Sequence, residues 1–391
     1  MSRRWSVLAG AWAVYAAFGL LVSSTGALVP QIRDDLNLSD SVMGLVLGAW
    51  QLIYIGTAIP AGRVLDRFGI RRALLASMVI MLASGFGRAI AWDGWSLFAS
   101  VALLGLGAPV ISVGAPKVAA SLFEGADRRL AVGIYSTAPV IGGALGLVLP
   151  ANVVGPLVDD DWRLIIAVLT GFAAVALVIW VLVSGGLDGL LAPGAGPSLS
   201  EYRSIAALPV VRFVLFLSVL NFYFVHGVGQ WVVAILDSAG WSPREAGLWA
   251  AFGTLGSLIA SYVIPRMATS DRRPALMVGV MVAGAGSLFF LLSTQVLLLA
   301  PSLLVATIAR SALVPLLIMV MMDHPDVGPE RIAAATGLFF ALAQIGGVTG
   351  PTLTGVLADA SDGFRLPLLV HSGVALSIAF FIIVGYRRAT A

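Results

Sequence analysis

The chain has 391 residues, of which 59% are hydrophobic and only 11% charged, with a formal net charge of +3 and a mean hydropathy of +0.99. That much apolar side chain cannot be hidden in a soluble core of this size, so the soluble globular class is excluded and most of the surface must meet lipid. Cysteine is absent, which excludes a disulfide framework and a thiolate metal site.

A helix crosses a bilayer with roughly 20 mainly apolar residues, and twelve such runs follow one another. They fall at about 6 to 29, 41 to 61, 73 to 92, 96 to 122, 130 to 156, 162 to 184, 209 to 236, 245 to 265, 274 to 294, 296 to 322, 332 to 358 and 366 to 386, numbered here as spans 1 to 12. The opening Met-Ser-Arg-Arg-Trp leads straight into span 1, which is too long for a signal-peptide core and is expected to be retained. Basic residues concentrate on the cytoplasmic side of membrane proteins. With both termini inside, sixteen of the 23 basic residues are cytoplasmic, Arg33, Arg88, Arg163, Arg244 and Arg365 lie outside, and Lys117 and Arg310 fall within spans. The positive charge is therefore a topology signal and points to no nucleic-acid partner.

Between spans 2 and 3 stands Gly62-Arg-Val-Leu-Asp66-Arg67-Phe-Gly69-Ile-Arg71-Arg72. This segment resembles the loop 2 to 3 motif of the major facilitator superfamily, Gly-x-Leu-Ala-Asp-Arg-x-Gly-Arg-Arg. The resemblance implies an all-α membrane protein of two pseudo-symmetric six-helix bundles, with substrate held between them near the midplane. It also implies a gate in which Asp66 sits near a helix N-terminus and Arg67 and Arg71 form inter-helix ion pairs, with Gly62 and Gly69 among the gating residues. The alternative is a solvated cytoplasmic loop that only fixes topology.

The halves carry ordered landmarks. Leu38-Ser39 with Gly44-Leu45 returns as Trp241-Ser242 with Gly247-Leu248, Ile59-Pro60 as Ile264-Pro265, and Arg129-Leu-Ala with Ile141-Gly-Gly as Arg331-Ile-Ala with Ile345-Gly-Gly; Trp162-Arg163 returns as Phe364-Arg365. A Gly/Pro/Ser-rich segment separates them, giving an N-terminal bundle at 1–184, a cytoplasmic linker at 185–208 and a C-terminal bundle at 209–391. The second copy of the loop motif is degenerate, Arg266-Met-Ala-Thr-Ser-Asp271-Arg272-Arg273, and leaves open whether Asp271 replaces Asp66. In span 5, Ala138-Pro139-x-x-Gly142-Gly143 approximates an antiporter element with Ala in place of its first Gly; tight packing at the interface of the halves explains it equally well. Gly346, Gly347, Gly350 and Pro351 occupy the related place in span 11.

Ionisable groups inside a bilayer mark substrate or ion pathways. All 20 acidic residues map to loops or span ends, so neither a midplane proton-carrying carboxylate nor a cation site is expected. Arg310 lies near the centre of span 10 and offers a planar fork suited to a carboxylate or oxyanion; its alternative role is bonding to helix carbonyls. Lys117, the one lysine of the chain, either snorkels to the interface or takes part in substrate passage. Arg88 is expected as an interfacial anchor with Trp92 and Trp95. Tyr223, His226 and Gln230 form one stripe of span 7 with Asn221 off it. His226 is a candidate proton carrier or a satisfied core residue. Gln51, Tyr54, Tyr15 and Gln344 complete the candidate pore lining, and Trp50 and Tyr135 are further candidates. The three histidines have no acidic or thiolate companions and make no metal site.

Spans 3 and 4, Gly85-Phe-Gly-Arg88 through Gly105-Leu-Gly107 to Ala115-Pro116-Lys-Val, are similar to cyanate and nitroimidazole-type porters of the superfamily. Span 1 departs from that group, reading Ser23-Ser24-Thr25-Gly26 where an Arg-Pro pair is expected. Nitrate/nitrite and oxalate/formate or monocarboxylate branches are further similarities, although their paired arginines are missing and position 101, often Arg, is Val101. The expected function is secondary transport of a small organic or inorganic anion by alternating access, anchored by Arg310 and gated at Asp66. The expected setting is a bacterial-type inner membrane, with exchange, a substrate-borne proton or His226 as the source of coupling. The rivals are an exporter of drug-like or lipophilic compounds and a membrane receptor or assembly component without turnover. No nucleophile and base constellation suggests an enzyme, no cofactor is implied, and a monomer is expected because one chain holds both halves.

Overall fold

The computed structural model describes residues 3–187 and 198–390. These form fourteen α-helices and, among the described residues, no strand. In order they are α1 (Arg3–Ala27), α2 (Val29–Leu36), α3 (Asp40–Ala89), α4 (Gly94–Leu122), α5 (Gly125–Leu149), α6 (Trp162–Val183), α7 (Leu199–Ala207), α8 (Pro209–Ser238), α9 (Pro243–Tyr262), α10 (Ile264–Met267), α11 (Arg273–Ser287), α12 (Val296–Met322), α13 (Gly328–Ser361) and α14 (Arg365–Thr390). Eleven helices among the described residues are long and apolar enough to cross a membrane. One of them, α3, is 50 residues long and breaks at Gly69, whose φ of 77° and ψ of 155° are not helical. Spans 2 and 3 are its two arms, so twelve crossings result.

The break corrects the expected loop. Helix continues through the charged segment as far as Phe68 and resumes at Ile70. Only Gly69 has to leave helical conformation, at a positive φ that a residue without Cβ adopts freely. Asp66 therefore lies in the last turn of the first arm, just before the break. The linker also contains more order than its composition implies, since α7 occupies part of it; residues 188–197 lie outside the described residues. Ser198 caps α7, its side chain accepting from Glu201 N–H. Elsewhere, Asp93 and Ser242 form capping boxes at α4 and α9, and Asp161 caps α6, meeting backbone donors a helix start leaves free.

By internal contacts the chain divides into two compact units, Met1–Asn37 with Ala49–Gly196, and Leu38–Gly48 with Pro197–Ala391. In the first, α1 crosses α5 where glycines admit backbone to backbone: a Cβ on Gly142 would overlap the Ala16 carbonyl. In the second, α8 crosses α13 in the same way, and a Cβ on Gly346 would overlap the Val219 carbonyl. Gly142 and Gly346 thus serve packing inside each unit, a close approach that small residues permit.

Each unit also has an ion pair between two neighbouring helices, with the signs exchanged. In the first, Asp66 Oδ1 accepts from Lys117 Nζ at 2.6 Å, joining α3 to α4. In the second, Arg273 donates to Asp323 at 2.6 Å, joining α11 to the end of α12. Asp271 is not the counterpart of Asp66 in this arrangement. The first turns of α3 belong with the second unit because Asp359, near the end of α13, accepts from the backbone N–H of Asp40 at 3.0 Å and of Ser41 at 2.8 Å.

Candidate functional site

The second unit gathers most of the polar groups singled out within the spans. Arg310 projects from α12 and is half-buried. One terminal nitrogen donates to the Val225 carbonyl of α8 at 3.2 Å, and the other to Thr307 Oγ1, one turn earlier on α12, at 2.9 Å. A guanidinium has five N–H donors in a planar fork, so two of the five are used, and no carboxylate among the described residues pairs with it. Gly229 makes the position possible: a Cβ there would stand 2.5 Å from the Arg310 terminal nitrogen.

On α8, Gln230 Nε2 lies 3.3 Å from His226 Nδ1, and the Phe222 ring packs on the imidazole at 5.4 Å between centroids. Tyr223 turns its ring toward His371 of α14, with centroids 4.9 Å apart. His371, which the sequence reading passed over, is buried and holds Thr354 Oγ1 at 2.8 Å through Nε2. Thr354 in turn donates to the Gly350 carbonyl at 2.7 Å. The single hydroxyl proton is spent on that carbonyl, so Nε2 of His371 carries the imidazole proton and Nδ1 is a buried acceptor without a partner among the described residues. Both His226 and His371 are near enough to Arg310 to feel its charge. The neighbourhood is thus cationic, and its other buried polar groups are neutral: Asn221 and Gln344 are buried, with both amide atoms of Asn221 and Oε1 of Gln344 unpartnered among the described residues.

The first unit gathers aromatic groups instead. Tyr15, Phe18, Trp50 and Tyr54 form a chain of ring contacts at 5.7 to 6.1 Å. Gln51 is fully buried on the same helix as Trp50 and Tyr54, with no partner for its amide among the described residues, and Tyr135 is half-buried on α5. At the break in α3, Lys117 engages Asp66, Arg67 lies over the Phe68 ring at 5.4 Å, and the Arg71 carbonyl accepts from Trp180 Nε1 at 3.3 Å. Gly62 has open space on its Cβ side.

Arg88 corrects its expected role. It is 1% exposed, whereas Trp92 and Trp95 are at the surface. Its guanidinium donates to the Leu21 carbonyl at 2.8 Å, Thr25 Oγ1 at 2.9 Å and Ser84 Oγ at 2.9 Å. Span 1 therefore supplies its partners. Position near a span end favoured an interfacial anchor, and only the packing of α1 on α3 shows the alternative. Outside the spans, Arg163 donates to Asp35 at 2.6 Å and stacks 4.3 Å over Trp162. Its hydrogen bond, joined by one from Trp162, holds the Asp35 carboxyl below the usual carboxylate range.

Among the described residues no group of His, Asp and Glu is arranged to hold a metal ion. The family model of the Major Facilitator Superfamily matches residues 11–340 and 216–390. The cyanate transport protein CynX of Escherichia coli strain K12 is 25% identical over 380 residues, covering 94% of this chain and 93% of that protein. The 2-nitroimidazole transporter of the same organism is 26% identical over 375 residues, covering 93% and 91%. Among solved structures, a mutant form of the nucleoside transporter NupG superposes with a TM-score of 0.82 at 12% identity, covering 98% of this chain and 99% of that one.

Proposed function

The chain belongs to the major facilitator superfamily, a family of membrane transporters and not of enzymes, and from that premise we propose that it carries a small organic or inorganic anion by alternating access, with Arg310 as the anchor for the negative group. The observation that carries this reading is a guanidinium within a membrane span that has donors to spare and no carboxylate partner among the described residues. An isolated charge in a span is expensive, and a substrate anion is the counter-ion that would offset that cost. Relatives named for cyanate, an anion, and for a small nitro-substituted ring agree with a compact, polar cargo.

His226, Gln230, Tyr223 and Gln344 would complete the binding surface in the second unit, and Gln51, Tyr54 and Tyr15 in the first. Lys117 belongs to the gate with Asp66, Arg67, Arg71, Gly62 and Gly69 in this reading, because its ammonium is committed to Asp66. The termini are assigned to the cytoplasmic side of an inner membrane by the distribution of arginines, and exchange, a substrate-borne proton or His226 would supply coupling. Proteoliposome uptake with a panel of small carboxylates and inorganic anions tests the reading. Accumulation of one anion class that Arg310→Gln abolishes supports it, whereas uptake unaffected by the substitution, or export of lipophilic cations alone, overturns it.

A further inference from the structure

The landmark pair Trp162-Arg163 of the first unit returns as Phe364-Arg365 in the second, and the two arginines have different fates. Arg163 is neutralised by Asp35 and covered by Trp162. Arg365, the first residue of α14, is exposed and has no ion-pair or hydrogen-bond partner among the described residues. It lines a cavity of about 410 Å³ whose other walls are apolar apart from Ser293, chiefly Leu288, Phe290, Leu298, Leu368 and Leu369, and none of the lining residues is acidic. The cavity arises because α11 stops at Ser287 in a short 3₁₀ turn, Leu288–Phe290, while α12 does not begin until Val296. Its volume falls in the roughly 300–1,000 Å³ range of ligand sites. Phe289 at 61% and Leu297 at 89% exposure flank it, so this end of the unit presents large apolar side chains to the bilayer.

We propose that this cavity is a site for an anionic phospholipid, with an acyl chain along the apolar walls and the headgroup phosphate on Arg365. Charge complementarity selects the occupant. A soluble anion would leave the apolar walls wet, and a neutral or zwitterionic lipid would leave the arginine without a net counter-charge, whereas an anionic lipid satisfies both at once. A guanidinium suits phosphate because its planar fork bonds two oxygens together, and a long cationic side chain at a span end reaches headgroup level readily. The site is separate from Arg310 and stands whether or not the transported substrate is an anion.

Thermal unfolding of the full chain in detergent, titrated with phosphatidylglycerol, with phosphatidylcholine of the same chains and with water-soluble glycerol phosphate, tests the proposal. Phosphatidylglycerol is expected to stabilise at lower concentration than phosphatidylcholine, with glycerol phosphate inert. Arg365→Gln, an exposed position, should abolish that preference and weaken phosphatidylglycerol about fivefold, the factor given by the roughly 1 kcal/mol one cation contributes at an anionic lipid surface. Leu369→Trp, which fills the cavity from a half-exposed position, should weaken both lipids. Equal responses to the two lipids in the unmodified protein, a preference that survives Arg365→Gln, or stabilisation by glycerol phosphate alone would each overturn it.

Discussion

Two arginines lie within membrane spans, one in each unit, and their surroundings differ in kind. Arg88 is 1% exposed and gives three hydrogen bonds to α1 and to its own helix, so its charge is spread over a carbonyl and two hydroxyls that nothing displaces. Arg310 is half-buried and gives two, one of them to a hydroxyl a turn away. The lesson is that an intramembrane cation is a functional candidate in proportion to the donors it has left and their access, and not merely because it is there. Arg88 ties helices together, and Arg310 is the one with donors left for the ligand role proposed for it.

Substitution at either arginine separates binding from stability. Arg310→Gln should weaken anion binding about 10- to 100-fold, the worth of a charge-assisted hydrogen bond of roughly 1.5–3 kcal/mol, with unfolding stability within about 1 kcal/mol of the unmodified protein; Arg310→Lys keeps the charge but not the fork and should fall between. Titration calorimetry in detergent with the anion found by uptake measures the first, and denaturation monitored by intrinsic tryptophan fluorescence the second. Arg88→Met should do the reverse, costing about 2 kcal/mol of stability for three inter-helix and intra-helix bonds at membrane values, while affinity stays within twofold. Loss of affinity without loss of stability in Arg88→Met would erase the distinction.

Smaller changes sharpen it. Gly229→Ala leaves every charge in place but presses a methyl on the Arg310 terminal nitrogen, and about a tenfold loss of affinity is expected, equivalent to roughly 1.4 kcal/mol. An unchanged affinity would mean that the guanidinium position is not critical. The mildest effect belongs to the exposed pair of Asp35 and Arg163, where Asp35→Asn should cost less than about 1 kcal/mol. Because the folded carboxyl titrates below its unfolded value, that contribution is complete above about pH 4 and is lost as pH falls through the lower folded value. Stability curves of the two proteins that converge on acidification check this.

The twelve crossings were legible because hydropathy over some twenty residues is a one-dimensional property. The path through Gly69 was not, since a single residue at positive φ inside a charged run reads the same as a loop. The two bundles were foreshadowed by landmark pairs, yet the attachment of Leu38–Gly48 to the second unit depends on Asp359, more than 300 residues further along the chain. At the candidate site, Arg310 and the stripe of Tyr223, His226 and Gln230 could be read from charge and helical spacing. His371 and Thr354 could not, because each is unremarkable on its own helix and gains meaning from Gly227, on which a Cβ would collide with the imidazole. Lys117 was visible as an anomaly, but its partner Asp66 became visible only once α3 and α4 were packed.

The proposed role of Arg310 as the anion anchor is tested most directly by a thermal-shift screen of the purified protein and of Arg310→Gln against small anions, since a ligand that binds the folded state raises apparent stability with the logarithm of its concentration over its Kd. Stabilisation of the unmodified protein by one anion class, and none in the variant, is expected. Equal shifts in both proteins, or a flat response to anions with stabilisation by lipophilic cations, would contradict it.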